Sequence, residues 1–218
     1  MKTELFDKLD DVAEALCALG PGLTVEIITQ SVERGYLKRV SCDKFHPKTL
    51  PGTVHRAESI SSLRHDLVVT SGWSPDCASN QELIVSPNGD VAIAVVSGDA
   101  NVGNLTPGQN PSTKYDSGSL TRRAIAVNAG QLDFFATDDR PVPDGHAESR
   151  ATWILLSYVA SHEIRYELSL PVSYSDSNFI DKWAKRIVFP SIAIDGIRLP
   201  ELPPYASQPD VDVKFKEA

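Results

Sequence analysis

Four carboxylates gather around one pair of apolar runs. Asp76, Glu82 and Asp90 lie about the runs 81–86 and 90–97, and Asp99 lies just past the second. Acids grouped in this way hold a divalent cation in nucleases and phosphohydrolases, where the metal activates water and balances phosphate charge. Such sites favour a lysine at short spacing, and none follows here. Acids at strand ends also serve as solvated turn residues, while ligands can converge from distant parts of a chain. These residues therefore leave a metal-dependent enzyme, nuclease-like or phosphohydrolase-like and acting on a phosphate-bearing substrate, as the alternative reading. The spacing of Cys42 and His46 provides one close metal-ligand pair, followed distantly by His55, His65 and Cys77. A structural zinc site uses two tight pairs, so neither a metal nor a cofactor is expected. No Gly-x-Ser-x-Gly elbow occurs, and none of the three cysteines sits in a nucleophile signature. Gly98-Asp-Ala-Asn-Val-Gly103 has the wrong glycine spacing for a phosphate loop and no lysine after it. No residue is assigned a catalytic role.

A second chemistry lies in Ser112-Thr-Lys-Tyr-Asp-Ser-Gly-Ser-Leu-Thr-Arg-Arg123, where hydroxyls and Lys114, Arg122 and Arg123 meet the start of a helical pattern over 119–128. Free backbone N–H groups and the helix dipole favour an anion there, with Ser119 as N-cap. Arginines at the positive end of a helix are mildly unfavourable without a negative neighbour. The expectation is an anion-binding patch of Lys114, Arg122 and Arg123 for phosphate, nucleic acid or a carboxylate-rich partner.

Gln131-Leu132-Asp133-Phe134-Phe135 resembles the pentapeptide by which bacterial polymerases and repair proteins dock on the DNA sliding clamp: Gln-Leu, then Ser or Asp, then Leu, then Phe. Phe134 departs from the usual Leu but keeps the position apolar. The resemblance covers these five residues only. It implies a protein of bacterial, phage or mobile-element origin that binds the clamp, with Leu132 and Phe135 as anchors and Gln131 at the pocket rim. The same residues would otherwise form a core strand with Leu132 and Phe134 facing in. The favoured reading is a non-enzymatic interaction protein of a phage or mobile element. It would engage host replication, repair or defence machinery through a protruding 98–118 loop and a reachable 131–135.

The elements that would position these residues follow from composition and periodicity. A chain of 218 residues with 41% hydrophobic residues can bury a core, expected here as one domain over 1–199 with a peripheral, proline-rich and then charged tail over 200–218. A net charge of −8 argues against a broad basic footprint, though not against a local patch. An odd cysteine count and the lack of a signal peptide or apolar span predict a cytoplasmic protein without a disulfide framework. Helical spacing predicts a helix over 3–19 ended by Gly20-Pro21-Gly22, and β-branched alternation predicts a strand over 23–29, paired with 35–40. Residues 43–65 read as loop and 66–70 as a strand. Asn88-Gly89 between apolar runs predicts a hairpin. The clearest strands are 151–159 and 163–170, the second placing Ile164, Tyr166, Leu168 and Leu170 inward and Arg165, Glu167 and Ser169 toward solvent. A turn or two of helix over 177–185 and an edge strand over 186–194 complete the chain. The expected fold is α+β: an antiparallel sheet of six to eight strands built from hairpins, with an N-terminal helix and one short internal helix. Its core should include Trp153, Leu155, Ile164, Tyr166, Leu168 and Ile187.

Overall fold

The computed structural model describes residues 2–78, 81–115, 124–130 and 150–197. The chain opens with a short strand β1 (Glu4–Phe6) and three helices, α1 (Leu9–Leu19), α2 (Val25–Val40) and α3 (Leu50–Ser71). Strands β2 (Ser74–Ala78), β3 (Gln81–Val85) and β4 (Val91–Ser97) follow, then a helical segment α4 (124–130). Strands β5 (Ala151–Val159), β6 (Glu163–Tyr174), β7 (Ile180–Val188) and β8 (Ile192–Ala193) complete an eight-stranded sheet. Its order is β1-β7-β6-β5-β4-β3-β2, with β8 alongside β6.

The fold is mixed α/β, with several helices beside the sheet rather than an N-terminal helix and one short internal helix. The sheet is not purely antiparallel: β1 runs parallel to β7, and β4 parallel to β5. The physical reason for the second pairing is the long connection between β4 and β5. Parallel neighbours need a crossover, and hairpin logic alone does not reveal one. The hairpins themselves are as the sequence predicts, with Ile84 opposite Ile93 in β3–β4 and Leu155 opposite Leu168 in β5–β6. In the β3–β4 turn only Gly89 takes positive φ, at 81°, with its N–H donating to the Ser86 carbonyl.

Residues 25–40 and 50–71 are helix, where paired strands over 23–29 and 35–40, a loop to residue 65 and a strand over 66–70 were expected. Thr24 caps α2 by accepting the Ile27 N–H. The buried stripe of α2 is Ile28, Ser31, Val32 and Gly35, and that of α3 includes His55, Ser59, Ser62, Leu63 and Leu67. Half of this seam is small or polar, so hydrophobic periodicity is weak although the geometry is helical. The helices approach closely: a Cβ at Gly35 would lie 2.2 Å from Ser59 Oγ and 2.6 Å from the His55 carbonyl. Residues 4–6, read as the start of the first helix, instead pair with β7, and residues 180–185, read as helical, belong to β7 itself.

The helices cover one face of the sheet. Ile93, Val95, Trp153, Leu155, Ile164, Tyr166, Leu168 and Ile187 pack there against Val12, Leu16, Ile28, Leu63 and Leu67. All six core residues expected from the sequence are buried in this cluster. The other face carries a smaller cluster of Val102, Ile125, Ile154, Leu156, Ile180 and Trp183. Pro171 has no N–H to give its neighbour across the β5–β6 ladder. The buried Asn128 of α4 fills that gap, donating to the carbonyls of Thr152 and Pro171 and accepting the Thr152 N–H.

Candidate functional site

The acids around the first hairpin are dispersed, each with its own partner. Asp76 pairs with Arg150 at 3.0 Å, and the same guanidinium donates to the Gly89 carbonyl. Glu82 pairs with Arg64 at 2.6 Å and accepts the Cys77 thiol at 3.2 Å. Asp90 accepts the Asn88 amide in the turn, and Asp99 closes its own loop by accepting the N–H groups of Asn101 and Ser112. Asp90 and Asp99 bracket the seven-residue β4, which separates them by about 20 Å. Glu82 lies on the helix-facing side of β3, while the register of Asp76 with Leu83 puts Asp76 on the other side. Among the described residues, no group of three His, Cys, Asp or Glu is placed to hold a metal ion.

The 98–115 segment does not protrude as a whole. Gly98 bridges Thr113, and Val102 is fully buried. Trp183 Nε1 donates to the Pro111 carbonyl and Ser112 Oγ to that of Ile180. Beneath the segment lies a sealed charge cluster. Arg186 grips Glu167 through Nε at 3.0 Å and Nη2 at 2.6 Å, while Ser169 Oγ and the Gly103 N–H donate to the same carboxylate. The Asn104 carbonyl takes a further bond from Arg186. Glu167 and Ser169, expected to face solvent, are therefore fully buried because this loop covers their face. The tip, residues 105–110, stands in solvent, as do Ala100, Lys114 and Tyr115.

Of the expected anion patch, Lys114 is exposed, its ammonium 5.6 Å from the Tyr115 ring centre and its N–H donating to the Ser97 carbonyl. Arg122 and Arg123 lie outside the described residues, as do Gln131, Leu132, Asp133, Phe134 and Phe135. The candidate metal pair does not share a centre: Cys42 Sγ points to the Lys38 carbonyl and His46 Nδ1 to Asp43. His55 is buried with Nε2 3.4 Å from Ser157 Oγ. Burial first, and the Arg39 charge second, pull its pKa down to about 4, so it is neutral near pH 7. The Cys77 thiol is pushed up by its hydrogen bond to Glu82, with burial and the Glu82 charge adding to the shift. A thiol so held is a poor nucleophile.

Open surface lies along the helix layer. A groove of about 740 Å³ runs between α3 and the β2–β3 edge, with Ile60, Val68 and Pro75 along its apolar wall and Arg56, Arg64 and His65 on its rim. Val69, beside them, is 70% exposed. Arg56 Nε is pinned to the Val95 carbonyl at 2.8 Å, which orients its guanidinium. Arg64 is tied to Glu82 and to the carbonyls of Asp76 and Leu83. A second groove, of about 480 Å³, lies between α1 and β1, with Phe6, Ala15 and Trp153 inside and Glu4, Asp11 and Glu14 at its edge. Sequence periodicity missed the first groove because α3 itself was missed; the exposed Val68-Val69 pair was its one signal. No family model, curated protein or solved structure matches the chain.

Proposed function

We propose that the protein is a non-enzymatic, cytoplasmic interaction protein of a phage or mobile element that engages bacterial replication, repair or defence machinery. The observation that carries this reading is the open groove along α3. It has an apolar wall, a pre-oriented arginine and a length of about 24 Å from Thr53 to Val69 at the helical rise, the form of a surface that takes a segment of another macromolecule. The ionisable groups elsewhere support it, since the hairpin acids, Glu167 and Arg186 serve structural partners. The β2 edge carries Pro75 in a five-residue strand, which disfavours strand addition and favours docking against the groove. No described helix is long and apolar enough to cross a membrane.

The pentapeptide Gln131 to Phe135 makes the sliding clamp the first partner to test. Purified bacterial clamp is titrated with the wild-type protein and with a Leu132→Ala, Phe135→Ala variant whose folding is verified. Binding by wild type, weakened about thirtyfold or more in the variant, supports the clamp as partner. No binding by wild type removes the clamp, and loss of folding in the variant assigns the pentapeptide to the core.

A further inference from the structure

The turn between α2 and α3 and the helix ends that flank it are rich in basic residues. Residues 34–57 hold Arg34, Lys38, Arg39, Lys44, Lys48 and Arg56 against Asp43 alone, a formal surplus of five positive charges in a chain of net −8. Arg34 pairs with Asp66. Among the described residues no carboxylate pairs with the other five. In the middle stands Phe45, 84% exposed. The turn that presents it is ordered: Asp43 accepts the Phe45 N–H at 2.9 Å, the His46 N–H reaches the Asp43 carbonyl at 3.2 Å, and Leu50 N–H closes on Pro47. The hydrogen bond from Phe45 and then that from His46 hold the Asp43 carboxyl below its usual range, so this anion stays ionised and is spent inside the turn. Lys44 Nζ lies 5.1 Å from the Phe45 ring centre.

We propose that this turn binds single-stranded nucleic acid, with Phe45 as a stacking platform for one base and Lys44 and Lys48 on the flanking phosphates. A lone aromatic ring without an apolar pocket around it suits the flat face of an unstacked base better than an aliphatic side chain. A duplex keeps its bases stacked and leaves the ring without a partner. A membrane face would need several apolar residues on the turn, whereas Phe45 is flanked by Lys44, His46, Pro47 and Lys48. The surplus charge draws the strand through counterion release despite the acidic total.

The test measures fluorescence anisotropy of a labelled oligothymidylate of about 20 nucleotides at about 50 mM salt. Wild type is compared with Phe45→Ala and with Lys44→Gln, Lys48→Gln, all exposed positions, after melting curves show intact folds. Saturable binding is expected, weakened about tenfold by Phe45→Ala. The double lysine variant should lower the slope of log affinity against log salt by about 1.4. No saturable binding, or binding equal in all three proteins, overturns the proposal. Polyglutamate bound as tightly as the oligonucleotide would point instead to an acidic protein, and preferential binding to phosphatidylserine vesicles to a membrane; either result overturns it as well. The clamp titration is independent of these outcomes.

Discussion

Glu167 and Arg186 sit under the loop after β4 with side chains 0% and 6% exposed, and each is bonded to the other and to the loop that seals them. Lys44 and Lys48 stand at the opposite extreme, in solvent on the turn before α3, with no carboxylate partner among the described residues. The residue types are similar and the uses opposite. In the first region charge fixes the path of a loop across a sheet, and desolvation makes every missing bond expensive. In the second, charge has been left open on an ordered turn, where it contributes little to folding and is free to meet a partner. Charge taken out of water has to be paired, whereas charge left in water stays available to a partner.

The contrast is broken most severely by Glu167→Ala, which leaves Arg186 buried without its anion and should lower unfolding free energy by about 3 to 5 kcal/mol. Replacing both by Glu167→Leu and Arg186→Met should cost far less than the two single changes added together. Denaturant unfolding of the three variants provides the check; additive losses would mean that the pair is not coupled. On the helix-covered face Leu168→Ala should cost about 2 to 5 kcal/mol by leaving a cavity in the main core, and an unchanged melting temperature would show that this face is not packed as described.

His55 provides a pH-dependent comparison. Its folded pKa of about 4 lies below the ordinary 6.5, so the unfolded chain takes up the proton first. Stability is unaffected above that ordinary value and falls as pH drops toward 4, by about 3 kcal/mol in all at the linkage rate of one pKa unit. Unfolding curves between those limits should flatten in a His55→Gln variant relative to wild type; parallel curves would remove His55 as the cause. At the open turn, Phe45→Ala should change stability by no more than about 0.5 kcal/mol, the complement of its loss of binding. The smallest effect concerns Cys77. In a Cys17→Ser, Cys42→Ser background, Glu82→Gln should speed thiol labelling, because the hydrogen bond and charge of Glu82 hold the thiol protonated. An unchanged or slower rate would show that Glu82 does not control it.

The same contrast explains what could be read from the sequence. Both clear hairpins and the core set from Trp153 to Ile187 were legible, because period-2 alternation and an Asn-Gly turn are local signals. Helices α2 and α3 were not, since Ser31, Gly35, Ser59 and Ser62 occupy buried seam positions that hydrophobicity does not flag. Alternation placed Glu167 and Ser169 on the correct face of β6 but could not tell that a loop some sixty residues earlier covers it, as the bond from Gly103 shows. The parallel β4–β5 pair was hidden for a similar reason, being set by a crossover rather than by either strand. The basic turn was legible in principle: a local charge count over 34–57 reveals it, whereas the total of −8 conceals it.

The most direct test of the claim that the helix layer carries the contact surface is site-specific photo-crosslinking in living bacteria. Benzoylphenylalanine is placed at Phe45, at Val69 beside the α3 groove, or at Thr106 on the exposed tip of the loop face. Discrete, ultraviolet-dependent adducts are expected from positions 45 and 69 and none from 106. Adducts from Thr106 alone, or equal labelling at all three, would contradict that claim.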